Sequence, residues 1–182
     1  MRHSCTAPAS RAAASNASRS TRCSGAADST ARSEARRHAS DLNSASTRLS
    51  SFFRQPPHAV WRALTDPDLL QQWLLRPTGF AASPGTRFRF TVPDAPINEI
   101  RCEVLEARPC EQLTYSWTYP QSEYPADWIL DWTLHPQGHG TRLLLTQTGF
   151  DITDRRQKMA RNAMERSWKR SLLPKLDRVI HH

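Results

Sequence analysis

The sequence predicts an α+β domain in which one antiparallel sheet packs on a long C-terminal helix, and three observations lead there. Five segments of alternating apolar and polar residues follow one another between residues 86 and 150, each closed by Pro or Gly. The last segment, about 153 to 180, repeats its apolar residues at helical spacing. All six tryptophans, six phenylalanines and three tyrosines lie in residues 51 to 182, so the core is C-terminal.

What precedes that core reads as a different kind of chain. Residues 1 to 50 hold twelve Ser, twelve Ala and eight Arg against three acids. Residues 1 to 42 carry too few apolar groups to offset the entropy of ordering them, and we expect a disordered Arg/Ser/Ala-rich leader there. It reads as a solvated tail, a targeting segment or sequence upstream of the true start. The domain is expected over residues 43 to 182. Of the formal charge of +8, the first fifty residues contribute +5, which leaves a mildly basic body with no sign of a specific nucleic-acid surface.

The elements follow in order. Leu49 to Phe53 reads as a short strand stopped by Pro56-Pro57. His58 to Leu64 sets Val60, Trp61 and Leu64 on one helical face. Thr65-Asp66-Pro67-Asp68 starts a second short helix with a capping residue, a proline in the first turn and acids at the positive dipole end, running through Leu69, Leu70 and Trp73. A helix-turn-helix that reads DNA would need basic residues on its second helix, and Asp68 to Trp73 has none.

The alternating segments are Thr86–Val92, Ile97–Ala107, Gln112–Tyr119, Asp127–His135 and Thr141–Phe150, with Gln137-Gly138-His139-Gly140 as a hairpin turn. With the first strand they make a sheet of about six strands. One face collects Phe88, Phe90, Ile100, Cys102, Val104, Leu113, Tyr115, Trp117, Trp128, Leu130, Trp132, Leu143 and Leu145. The other collects Arg87, Arg89, Arg101, Glu103, Ser116, Asp131, Arg142 and Thr146, so one face is wet and one covered. The cover is the last helix, with Met164, Trp168, Leu172, Leu176 and Val179 inward. Pro174 forbids one backbone bond within it and predicts a kink near Leu173.

The run Pro57-His58-Ala59-Val60-Trp61-Arg62-Ala63-Leu64-Thr65-Asp66-Pro67 with Trp73 downstream, then Gly140-Thr141-Arg142-Leu143 with Leu145-Thr146-Gln147-Thr148-Gly149-Phe150, then Trp168, resembles the bacterial branch of the activator of heat-shock protein 90 ATPase C-terminal-domain family. That family sits within the SRPBCC superfamily, and the resemblance covers about residues 46 to 181. It implies the helix-grip (START-like) fold: a curved antiparallel sheet wrapped on a long helix, two short helices after the first strand and a largely apolar cavity between. Members of the superfamily bind lipids, polyketides, hormones or drugs, some catalyse ring closure or hydrolysis, and the eukaryotic namesake stimulates a chaperone ATPase. This chain has an Arg/Ser/Ala tail where that namesake has its chaperone-binding domain, and Ser167 where a glycine often precedes the helix tryptophan.

The expected function is non-enzymatic binding of a hydrophobic small molecule. Its contacts are expected to be Phe88, Phe90, Tyr115, Trp117, Trp128, Trp132, Gln147, Met164 and Trp168: flat apolar walls, with Tyr115 or Gln147 fixing orientation. No catalytic set is expected, because Glu99, Glu103 and Asp131 fall on the wet face, although a one-residue slip in register would bring Glu103 and Asp131 inside. No cofactor is expected. No metal is expected either, because Asp131, His135 and His139 lack a further ligand to complete a tetrahedron. Cys102 and Cys110 read as buried reduced thiols without a partner histidine. The alternatives are a co-chaperone-like or stress-response interaction module, and an enzyme resembling a polyketide cyclase or hydrolase. The expected setting is the cytoplasm, as a monomer or homodimer, with a chaperone as a possible partner and no membrane insertion.

Overall fold

A computed structural model of the protein describes residues 44–93, 99–120 and 127–181; the expected leader, residues 1–42, lies outside them. The elements are β1 (Ser44–Phe53), α1 (Pro57–Thr65), α2 (Pro67–Trp73), β2 (Pro77–Thr78), β3 (Arg87–Thr91), β4 (Glu99–Arg108), β5 (Gln112–Thr118), β6 (Asp127–Gln137), β7 (Gly140–Asp151), α3 (Arg155–Ser167), a π-helical turn (Trp168–Leu172) and α4 (Leu173–His181). This is the α+β helix-grip arrangement. The sheet has seven strands in the order β1-β7-β6-β5-β4-β3-β2, rather than about six. The added strand is β2, two residues pairing with Phe90 and Arg89 of β3. It is too short to show any alternation of its own.

The first strand is also longer than expected. It begins at Ser44 rather than Leu49 and pairs antiparallel with β7, placing Thr47 opposite Gln147 and Leu49 opposite Leu145. The Pro-Pro stop holds: the chain turns at Pro56 and α1 starts at Pro57. Its buried residues are Val60, Ala63 and Leu64, at i, i+3 and i+4, while Trp61 sits half-buried on the flank. The Asp66 carboxylate accepts the backbone N–H groups of Asp68 (2.9 Å) and Leu69 (3.3 Å), capping α2. Trp73 then donates its indole N–H to the carbonyl of Ala63 (2.9 Å), clamping the two short helices together.

The meander follows the alternation. Buried residues recur at every second position along β3, β5 and β6, and the two-residue turn Gly138-His139 joins Gln137 to Gly140, with Gly138 at φ +58°. In β7 the phase changes once. Gly149, at φ +95°, lets the chain slip so that Phe150 rather than residue 149 enters the core. The wet face is tied by Arg87–Glu103 and Arg101–Glu99 pairs, each 2.9 Å. On the same face Asp131 accepts from Gln112 (2.7 Å), Thr114 (2.6 Å) and Thr133 (3.0 Å).

The long helix is interrupted, but by a π turn rather than a kink at Leu173. The backbone N–H of Leu173 bonds the carbonyl of Trp168, five residues back. Pro174 cannot supply the next helical donor, and the widened turn before it absorbs the break. The two halves of the helix then differ. Trp168, Leu173 and Leu176 are buried, whereas none of the thirteen residues of α3 is, and Met164, Leu172 and Val179 are only half-buried against the core. Among the described residues no helix is long and apolar enough to cross a membrane.

Candidate functional site

Eight of the nine residues expected to meet a ligand belong to one hydrophobic cluster on the covered face or pack against it, and Gln147 joins them through its bond from Trp168. All but one of the nine are buried, among them Trp132, Gln147 and Trp168 at 0% exposure, and Met164 is half-buried. They fall into two groups. Phe88, Phe90, Tyr115, Trp117 and Trp128 form a run of ring contacts across β3, β5 and β6. Phe88 meets Phe90 at 5.4 Å and Tyr115 at 5.6 Å between centroids, and Phe90 meets Trp117 at 5.6 Å. Tyr119 continues the run from Trp117 (6.4 Å) to Trp128 (5.6 Å), and Phe150 closes it against Trp128 at 4.9 Å.

The second group is Trp132 with Trp168, edge to face at 5.4 Å, and with Trp73 at 5.8 Å. It joins the first through one bond, from the Trp132 indole N–H to the Tyr115 hydroxyl oxygen at 3.1 Å. Tyr115 therefore spends an acceptor site inside the core and keeps its own proton to donate. Gln147 is held from above, where the indole N–H of Trp168 donates to its side-chain oxygen at 3.1 Å.

What the covered face leaves unpaired is as informative as what it pairs. The indole nitrogens of Trp117 and Trp128, the amide nitrogen of Gln147 and the hydroxyl of Thr47 are all buried without a hydrogen-bond partner. Buried polar groups are paired in the great majority of cases, and four orphans on neighbouring strands of one face mark where an acceptor is missing. Trp117 and Trp128 stand directly opposite each other in the β5–β6 ladder, as Thr47 and Gln147 do in β1–β7. The Trp117 indole lies close enough to the Tyr119 hydroxyl to oppose part of the rise that burial imposes on that phenol, but it is not aligned into a hydrogen bond.

Burial pushes the phenol of Tyr115 far above its ordinary range, and does the same to the thiol of Cys102, which is free. Cys110 departs from the expected reduced thiol, because it is disulfide-bonded, in a left-handed turn at φ 63°. Glu99, Glu103 and Asp131 face outward as expected, so the register slip did not occur. Among the described residues no group of three or more His, Cys, Asp or Glu is placed to hold a metal ion.

Concavities open elsewhere, one of about 490 Å³ beside the Gly138-His139 turn. A groove of about 590 Å³ crosses the outer face over Arg87, Arg89 and Arg101, and another of about 470 Å³ lies between β1 and the start of α4.

Sequence reasoning missed Thr47, Tyr119 and Phe150. Thr47 was legible in principle, since Thr47 and Leu49 alternate with the polar Ser46, Arg48 and Ser50 and extend the strand backward. Phe150 was hidden by the phase change at Gly149.

Comparison with known proteins agrees with this architecture. The family model for Activator of Hsp90 ATPase homolog 1-like protein matches residues 54–181. Protein MLL2253 from Mesorhizobium loti is 27% identical, with a TM-score of 0.68 over 75% of this chain and 97% of that one. CalU16 from Micromonospora echinospora (24% identity, TM-score 0.59, 74% and 75% covered) and NE0264 from Nitrosomonas europaea (19%, 0.61, 75% and 94%) share the fold. Among curated proteins none matches. Since the matched span runs from the end of β1 through α4, taking in both short helices, the meander and the gripping helix, the chain belongs to the Activator of Hsp90 ATPase homolog 1-like family.

Proposed function

We propose that this domain is a non-enzymatic binder of a mainly apolar small molecule, held between the covered face of the sheet and the C-terminal helix. The observation that carries the reading is the pair of buried indole N–H groups of Trp117 and Trp128, opposite each other on β5 and β6 and without acceptors. Leaving each unsatisfied costs about 1–3 kcal/mol, a cost that an acceptor on a bound molecule removes. The rings around them, Phe90, Tyr119 and Phe150, supply flat apolar walls. Helix α3 buries none of its own residues completely and covers the sheet with partly buried side chains such as Ala160 and Met164.

The chemistry of the face also favours binding over turnover. A general acid or base works best when it titrates near neutrality. Among the described residues the ionisable groups of this face include Tyr115, Tyr119 and Cys102, and burial pushes all three away from that range.

The test is a calorimetric titration of wild type, Trp117→Phe and Trp128→Phe with a panel of aromatic and acyl ligands. Phenylalanine keeps an aromatic ring and removes the N–H together with part of the indole's volume. Saturable binding weakened by either substitution supports the reading; no saturable binding to any member of the panel overturns it.

A further inference from the structure

We propose that the bound molecule is an acid, and that Gln147 and Thr47 receive its carboxylate at the β1–β7 edge of the covered face. The inference rests on the ligand-binding reading above and names the chemical class of the ligand.

The argument starts from the Trp168 indole, which can only donate. The Gln147 atom 3.1 Å from it is therefore the side-chain oxygen. That fixes the amide the other way round, with its nitrogen turned from the indole and left buried with nothing to accept its protons. Thr47 is the direct cross-strand partner of Gln147, so the two side chains start about 5 Å apart on the same face. Its hydroxyl is likewise buried and unpaired, and both residues are at 0% exposure. Two fully buried donors side by side, one an amide and one a hydroxyl, define a place for an acceptor.

The charge beside them selects an anion. Arg161 of α3 donates from Nη2 to the carbonyl of Ser46, the residue before Thr47, at 3.1 Å, and its Nε is buried without a partner. Among the described residues the acid paired with it is Glu165, at 3.5 Å, and Glu165 is shared with Lys169 at 2.6 Å. The hydrogen bond from Lys169 holds the Glu165 carboxyl below its ordinary range. Two cations on one carboxylate leave one positive charge at this edge. A carboxylate offers two oxygens and about four lone-pair positions and accepts only, which matches an amide N–H, a hydroxyl and a guanidinium N–H better than a single carbonyl does. Since aromatic walls occupy the rest of the face, the acid is one with an apolar body.

The probes are 2-naphthoic acid and dodecanoic acid, each against its own methyl ester, titrated into the full chain at neutral pH. Wild type is expected to hold at least one acid about tenfold tighter than its ester. Thr47→Val and Gln147→Leu are expected to abolish that preference, bringing the affinity for the acid down to that for its ester. Gln147→Glu keeps an oxygen for Trp168 and is expected to reverse the preference, because it sets a second negative charge against the acid; it serves as the readout if Gln147→Leu fails to fold. Equal binding of acids and esters by wild type overturns the carboxylate assignment and leaves the ligand-binding reading standing, with a buried water as the occupant. A preference that survives both Thr47→Val and Gln147→Glu also overturns it. If neither acids nor esters bind, both readings fall together.

Discussion

The indole N–H of Trp168 donates to the side-chain oxygen of Gln147 at 3.1 Å, with both residues wholly buried. This bond ties the π turn of the C-terminal helix to the middle of β7. Trp168→Phe removes it and leaves the whole Gln147 amide unpaired, so it is expected to cost about 2–3 kcal/mol. Gln147→Leu also destabilises, by orphaning the indole. Because the apolar pair leaves no polar group stranded, the double variant is expected to lose less than the sum, by about 1 kcal/mol. Urea denaturation of the four proteins measures this coupling.

Gly149 is the hinge of register in β7. A Cβ there would lie 2.3 Å from the carbonyl oxygen of Asp127 and 3.2 Å from the Cα of Trp128, on a backbone at φ +95°. Neither neighbour is a flexible side-chain end that can move aside. Gly149→Ala is expected to cost about 2 kcal/mol or more and to lower the melting temperature accordingly. Substitution at Gly85, which has a positive φ but open space around it, serves as the milder control.

Asp66 separates local from tertiary effects. Its carboxylate caps α2 without touching the covered face, so Asp66→Ala is expected to cost about 1 kcal/mol in urea denaturation and to leave ligand affinity unchanged.

The two buried acids of the covered face predict a pH dependence. Burial raises the Cys102 thiol above its ordinary 9.0 and the Tyr115 phenol above its ordinary 10.0. The fold keeps both protons where the unfolded chain would release them. The stability they contribute is therefore complete below about pH 9 and is lost as the pH rises beyond it, because the unfolded state then binds fewer protons than the native one. The urea midpoint of wild type is expected to fall between pH 9 and 11, on the scale of those ordinary values. The Cys102→Ala/Tyr115→Phe variant is expected to fall less steeply, whatever its stability at neutral pH.

The fold and the composition of the covered face were legible because period-two alternation is a direct imprint of a half-buried sheet. Leu113, Tyr115 and Trp117 on β5, with Trp128, Leu130 and Trp132 on β6, carry it without a break. What the alternation does not encode is the state of each polar atom. Nothing in the spacing distinguishes Trp132, whose N–H is spent on Tyr115, from Trp117 and Trp128, whose N–H groups are not. That depends on which rings meet across strands. Thr47 was missed because its strand begins in a Ser- and Ala-rich stretch resembling the leader, and Phe150 because one glycine reverses the face. The bareness of α3 was also invisible: Met164 falls in the helical period with Trp168 and Leu172, but helical periodicity does not say how deeply a residue is buried.

The central claim, that the covered face receives a small molecule at Trp117 and Trp128, is tested most directly by following the tryptophan side-chain N–H signals by ¹H–¹⁵N NMR during titration with 2-naphthoic acid. Saturable shifts are expected for Trp117 and Trp128 as their N–H groups or rings meet the ligand, while Trp73, already bonded to Ala63, stays in place. Signals of Trp117 and Trp128 that remain unmoved at saturating probe, or shifts confined to the half-buried Trp61, would contradict the account.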